Sequence, residues 1–103
     1  MLRVVEIIEV TPYYFICIFN NGEIRKLEVL ALIDSQKHLE VIDSLLNEVI
    51  FKKVRIGDFG EIVWDKIIKT HENGEEVSWD YDISPEFAYE NSILIKNPFM
   101  KIP

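Results

Sequence analysis

Tyr13-Tyr14-Phe15-Ile16-Cys17-Ile18-Phe19-Asn20-Asn21-Gly22-Glu23-Ile24-Arg25-Lys26-Leu27-Glu28-Val29 is the stretch whose reading decides the fold. Tyr13 to Phe19 is almost entirely aromatic or β-branched, which suits a pleated surface packed on a core and marks a central strand. Asn21-Gly22 then separates this run from a second strand-like run. Asn-Gly in that position predicts a two-residue type I′ turn, because both residues tolerate positive φ. The second strand, Glu23 to Val29, mixes Ile24, Leu27 and Val29 with Glu23, Arg25, Lys26 and Glu28, so it is expected to be wetter and nearer an edge.

Upstream, residues 2 to 10 carry Val and Ile on both alternating faces, as in a strand covered on both sides, and Thr11-Pro12 marks a turn. Downstream, from Leu30 to Glu48, the period becomes helical. Leu39, Ile42, Leu46 and Val49 share one face, Glu40, Asp43 and Asn47 the other, and Asp34 and Ser35 offer cap chemistry. Phe51 to Ile56 returns to a strand pattern, Gly57-Asp58-Phe59-Gly60 supplies a turn, and Glu61 to Trp64 a short strand. Asn73-Gly74 repeats the hairpin signal, so Lys66 to Thr70 and Glu75 to Trp79 are expected to pair as a projecting arm. Ser84-Pro85-Glu86 reads as a helix start: a hydroxyl for a free backbone N–H, Pro where no N–H is needed, and a carboxylate at the positive dipole end. Ile83 and Phe87 can then meet against a core. Ile93-Leu94-Ile95 reads as an edge strand or as a segment along the core, and Asn97 to Pro103 as an apolar tail that docks in cis or on a neighbouring subunit. The expected whole is a single α+β domain over residues 1–103: a small antiparallel β-meander sheet, one amphipathic helix across it and a short C-terminal helix.

At 103 residues and 49% apolar composition, one compact core is feasible without staples. Cys17 is the sole cysteine and cannot form an internal disulfide, which fits a reducing cytoplasm. The opening residues break their apolar run with Arg3, Glu6 and Glu9, so neither a signal peptide nor a membrane span is expected. Net charge is −7, and it is uneven: residues 1 to 56 hold seven Lys/Arg against eight Asp/Glu, residues 57 to 103 four against ten. Such a surface repels phosphate backbones and anionic lipid, so neither direct nucleic-acid binding nor membrane docking is expected; a basic protein would be drawn to the second half.

The densest group of chemistry-bearing side chains is Trp79 to Glu90. Trp79, Asp80, Asp82, Glu86 and Tyr89 are the candidate recognition residues, placed to meet a protein partner or a second copy of the chain. A hydrolase using a divalent cation held by Asp80, Asp82 and Glu86 is the catalytic alternative. Against it, His38 and His71 lie on separate expected elements without ligand spacing, Cys17 sits mid-strand with no activating neighbour, and no Gly-rich phosphate loop is present. No catalytic residue, metal or cofactor is expected.

Three segments, Phe19-Asn20-Asn21-Gly22-Glu23-Ile24-Arg25, then Phe51-Lys52-Lys53-Val54-Arg55-Ile56 with Gly60-Glu61-Ile62-Val63-Trp64, then Asp82-Ile83-Ser84-Pro85-Glu86-Phe87-Ala88-Tyr89, carry a resemblance. As an ordered set over about residues 4 to 92 they resemble a bacterial family known as domain of unknown function two-four-four-two. In that family the Trp is soon followed by the Asp-Ile-Ser-Pro-like stretch, whereas here Lys66 to Ser78 intervene and Trp79 adds a second Trp. The resemblance implies a small α+β domain, sometimes joined to a helix-turn-helix and often encoded beside another small protein in a manner similar to toxin–antitoxin pairs. No helix-turn-helix is read in this chain, so DNA binding would have to come from a partner.

Overall fold

The structure is a computed structural model, and it describes residues 1–34 and 39–96. Ser35, His38 and the tail from Asn97 lie outside the described residues. The class is α+β, with two antiparallel sheets and four short helices among the described residues. Strands β1 (Val4–Thr11), β2 (Tyr14–Phe19) and β3 (Ile24–Glu28) form the expected meander. The chain then runs through helices α1 (Val29–Asp34), α2 (Leu39–Leu45) and α3 (Glu48–Phe51) to β4 (Arg55–Ile56), β5 (Ile62–Glu72) and β6 (Glu75–Ile83). It ends with α4 (Pro85–Glu90) and β7 (Ile93–Ile95). The first sheet has the order β1-β2-β3-β7 and the second β4-β5-β6.

β2 is interior and strictly alternating: Phe15, Cys17 and Phe19 are buried, while Tyr14, Ile16 and Ile18 are half-buried. That period of two aims one face at the helices and at Trp64. β3 is also interior, because β7 pairs along its outer side through Ile24–Ile95, Arg25–Leu94 and Lys26–Ile93. Its charges had pointed to an edge; Arg25 is instead absorbed by Ser92, whose Oγ and carbonyl oxygen accept its guanidinium N–H groups at 2.8 and 3.1 Å. β1, expected to be covered on both faces, is exposed over much of its length and is an edge strand of this sheet. Val5 is 54% exposed, and two register shifts, between Val4 and Glu6 and between Ile7 and Glu9, distort the strand. Bulges of this kind protect an edge from pairing with another chain.

The Asn21-Gly22 turn differs from expectation in its length. Gly22 takes positive φ (88°) and Asn21 does not; Gly22 N–H donates to Phe19 O (2.9 Å) and Phe19 N–H to Glu23 O (2.9 Å). This is a three-residue loop ending in a glycine bulge. Side-chain bonds select it: Asn21 Oδ1 accepts the Glu23 N–H at 3.0 Å, and Asn20 Oδ1 accepts the Arg3 N–H at 3.1 Å. At Asn73-Gly74 both φ values are positive (52° and 81°) and Glu72 faces Glu75, so the two-residue type I′ turn forms there as expected.

The helical run is divided. Asn47 closes one segment and caps the next, its Oδ1 accepting the N–H groups of Val49 (2.9 Å) and Ile50 (3.2 Å). α3 therefore reaches Phe51, and only Arg55–Ile56 of the expected Phe51–Ile56 strand pairs. The inward side chains are Val41 and Leu45, whereas Leu46 and Val49 are 45% and 66% exposed, because the break at Asn47 restarts the helical phase. Ser84 caps α4 as expected, with its Oγ accepting the Phe87 N–H at 3.2 Å and Pro85 in the first turn. Ile83 is in the core and Phe87 packs against it.

Trp64 is the centre of that core. It is fully buried, its Nε1–H donates to Phe51 O at 3.0 Å, and its ring lies against Phe15, Phe51 and Tyr81 at centroid distances of 6.4, 5.9 and 6.1 Å. Ile67 and Ile68 still pack against this core; beyond Ile68 the β5–β6 hairpin runs on past β4 as an arm.

Candidate functional site

Of the five candidate residues, Trp79, Asp80 and Asp82 come together on β6. They line a concavity of about 360 Å³, closed on its other side by Arg55, Val63 and the Gly57–Glu61 turn. The register explains the meeting of the charged groups: Arg55 faces Val63, and Val63 faces Asp82, so one face of three strands carries Arg55, Asp80 and Asp82. Trp79, alternating with Asp80 along β6, borders the concavity from the edge of that face. The turn folds onto that face because Gly60 N–H donates to Gly57 O (3.0 Å), Gly57 N–H to Glu61 O (2.8 Å), and Glu61 Oε1 accepts the Phe59 N–H (2.9 Å).

Four carboxylates border this concavity, those of Asp58, Glu61, Asp80 and Asp82, against the single guanidinium of Arg55. Arg55 is itself engaged by Asp65: Nε lies 3.1 and 2.9 Å from the two carboxylate oxygens and Nη2 lies 2.8 Å from Oδ1. These bonds hold the Asp65 carboxyl below the usual carboxylate range and the Arg55 guanidinium above its own. The cation is neutralised locally, and the face as a whole stays negative. The Arg55–Asp65 pair was not read from the sequence, since ten residues separate the two and only strand register joins them.

Asp80 has a structural task as well. Lys66 adopts φ 56°, a conformation that costs an L-residue roughly 1–2 kcal/mol. Asp80 Oδ1 accepts the Lys66 N–H at 3.0 Å and fixes this kink, which coincides with the register shift between Trp64 and Ile68. Trp79, 47% exposed, donates its Nε1–H to Thr70 Oγ1 at 2.8 Å across the hairpin.

Glu86 and Tyr89 lie elsewhere. Glu86 is exposed in the first turn of α4. Tyr89 turns toward the first sheet: its hydroxyl donates to Glu23 Oε2 (2.7 Å), its ring stacks edge-on to Phe19 (5.2 Å), and Arg25 lies 4.1 Å over it. The Tyr89 hydrogen bond is the main reason that the Glu23 carboxyl sits below its usual range, with Arg25 adding to it against burial. Tyr89 thus belongs to an anchor that fastens α4 to β3, and its aromatic character gave no sign of which face it would take. Phe59, 68% exposed at the rim of the concavity, was read only as part of a turn.

The reactive residue types are placed apart. Cys17 is buried and burial pushes its thiol up to about 12, which leaves no thiolate at neutral pH. His71 is exposed near the arm's tip opposite Glu76. Among the described residues no three His, Cys, Asp or Glu side chains converge as a metal cage, and no helix is long and apolar enough to cross a membrane. Set beside protein-family models, curated proteins and solved structures, the chain matches none.

Proposed function

We propose that this chain is a non-catalytic protein-binding module whose β5–β6 arm and adjoining acidic concavity receive a basic protein, in the manner of the antitoxin-like member of a pair in a bacterial cytoplasm. The observation that carries this reading is that Trp79, Asp80 and Asp82 border one concavity with Asp58 and Glu61 at the root of a projecting arm. A half-exposed Trp beside several carboxylates offers apolar contact area together with steering of a positively charged partner. The resemblance to the two-four-four-two family supports the same reading, since its members often accompany another small protein. Co-purification from the native host tests it: a basic protein should be recovered at low salt and lost as salt rises. Recovery of the chain alone, as a monomer, at every salt concentration would contradict it.

A second reading, self-association, is favoured by β7, where Ile93 and Leu94 are 61% and 56% exposed on an edge free of acidic residues. Light scattering of the chain truncated after Ser92 separates the two, because loss of a dimer on truncation would place the interface there.

A further inference from the structure

The distal arm is a two-stranded hairpin, and such a ribbon is marginal in water without further support. β6 is the last strand of its sheet, so among the described residues no strand lies on its outer side. Its free hydrogen-bonding groups follow from the register. Glu72 and Glu75 close a two-residue turn and exchange backbone bonds; Thr70 with Val77 and Ile68 with Trp79 repeat that pairing. The backbone N–H and C=O groups of Glu76 and Ser78 therefore point away from β5. Their side chains share a face with Asp80, while Val77 and Trp79 occupy the other.

This edge differs from the other two. β1 is broken by bulges, and β7 is three residues long. β6 is nine residues long and has no bulge between Glu75 and Trp79. A second copy of the chain is the poorer occupant: it sets one acidic strand beside another, and a two-fold axis at Ser78 places Glu76 of each copy directly against Asp80 of the other, an arrangement that destabilises a strand pair. A strand of the opposite charge has no such conflict.

We propose that the outer edge of β6 between Glu76 and Asp80 takes up an extended segment of a basic partner by strand addition. Lysine or arginine at every second position lies over Glu76, Asp80 and Asp82, and apolar residues at the intervening positions lie beside Val77 and Trp79. The inference rests on the protein-binding reading above and specifies its mode. Backbone bonds to Glu76 and Ser78 supply affinity, and the alternation supplies specificity.

The test is a binding titration of the full chain with a short acetylated peptide of alternating lysine and valine, followed by Trp79 fluorescence. Binding should weaken with salt. It should fall at least about tenfold when one alternate set of peptide amides is N-methylated, the loss of two or so backbone bonds, and the other set should tolerate methylation. Ser78→Pro should cause a similar loss with an unchanged urea midpoint, since Pro is tolerated where the N–H faces outward. Glu76→Lys should weaken binding through charge alone. Equal binding by both methylated peptides and by Ser78→Pro overturns strand addition and leaves acidic recognition standing. Failure of the unmodified peptide to bind overturns it too, while the co-purification decides the wider reading independently.

Discussion

The two tryptophans stand for two regions built on different physics. Trp64 lies in the body, fully buried among Phe15, Phe51 and Tyr81, with its one donor satisfied by a backbone carbonyl. Trp79 lies at the root of the arm, half in water, with its donor spent on a neighbouring hydroxyl. The body is held by area removed from water, and the arm beyond Ile68 chiefly by strand register, turn chemistry and cross-strand side-chain bonds. A surface kept at such a cost in packing suits recognition better than stability.

The sharpest way to break this contrast is to truncate each ring. Trp64→Ala should cost about 3–5 kcal/mol in urea denaturation, the range for a large core aromatic, and leave little folded chain. Trp79→Ala should cost below about 1 kcal/mol yet remove most binding to a basic partner. Similar midpoints for the two variants would dissolve the distinction.

The glycines sharpen it next. Gly60 has φ 79°, and a Cβ there would come within 2.5 Å of Arg3 Cβ and 2.8 Å of Arg3 Cα, where β1 meets the second sheet. Gly60→Ala should therefore destabilise by about 2–4 kcal/mol, combining backbone strain with overpacking. Gly74, at the arm's tip, has φ 81° with nothing within 4 Å of a Cβ. Gly74→Ala should cost only the backbone term, about 1–2 kcal/mol by the same measurement.

Much of the fold could be read from residue order. The Asn73-Gly74 turn, the Ser84-Pro85 cap and the central strand rest on local chemistry, which a sequence displays directly. Three features escaped because they depend on which side-chain bond or cap wins, and that is settled in two of them by a partner far along the chain. Asn20 and Asn21 have side chains bonded to Arg3 and Glu23, which lengthened the first turn. Phe51 alternates as a strand would, but Asn47 caps a helix that reaches it. The kink at Lys66 needs the Asp80 carboxylate from the next strand. The candidate site divides in the same way: Trp79, Asp80 and Asp82 are near one another because one strand carries them, whereas Tyr89 is claimed by Glu23 and Arg25, 66 and 64 residues earlier.

Acid should act on both regions. Glu23 in the body and Asp65 beside the arm's root have carboxyls held below the usual range, by Tyr89 and Arg55 respectively. The unfolded chain returns them to ordinary values and so takes up protons first as pH falls. Their contribution is complete above the ordinary carboxylate range and is lost as pH drops through it toward the lower folded values. Tyr89→Phe should flatten the acid side of a melting-temperature profile, because it removes the largest cause of the Glu23 depression. The smallest effect belongs to the exposed pair Lys69–Glu76, 3.8 Å apart on the arm. Lys69→Ala should leave the melting temperature unchanged within error.

Amide hydrogen exchange of β6, in the free chain and with the basic protein co-purified from the native host, tests the arm's role most directly. The amides of Glu76 and Ser78 should exchange rapidly in the free chain and become protected in the complex, while Val77 and Trp79 change less. Protection confined to the body, with Glu76 and Ser78 still exchanging rapidly in a saturated complex, would contradict recognition through this edge.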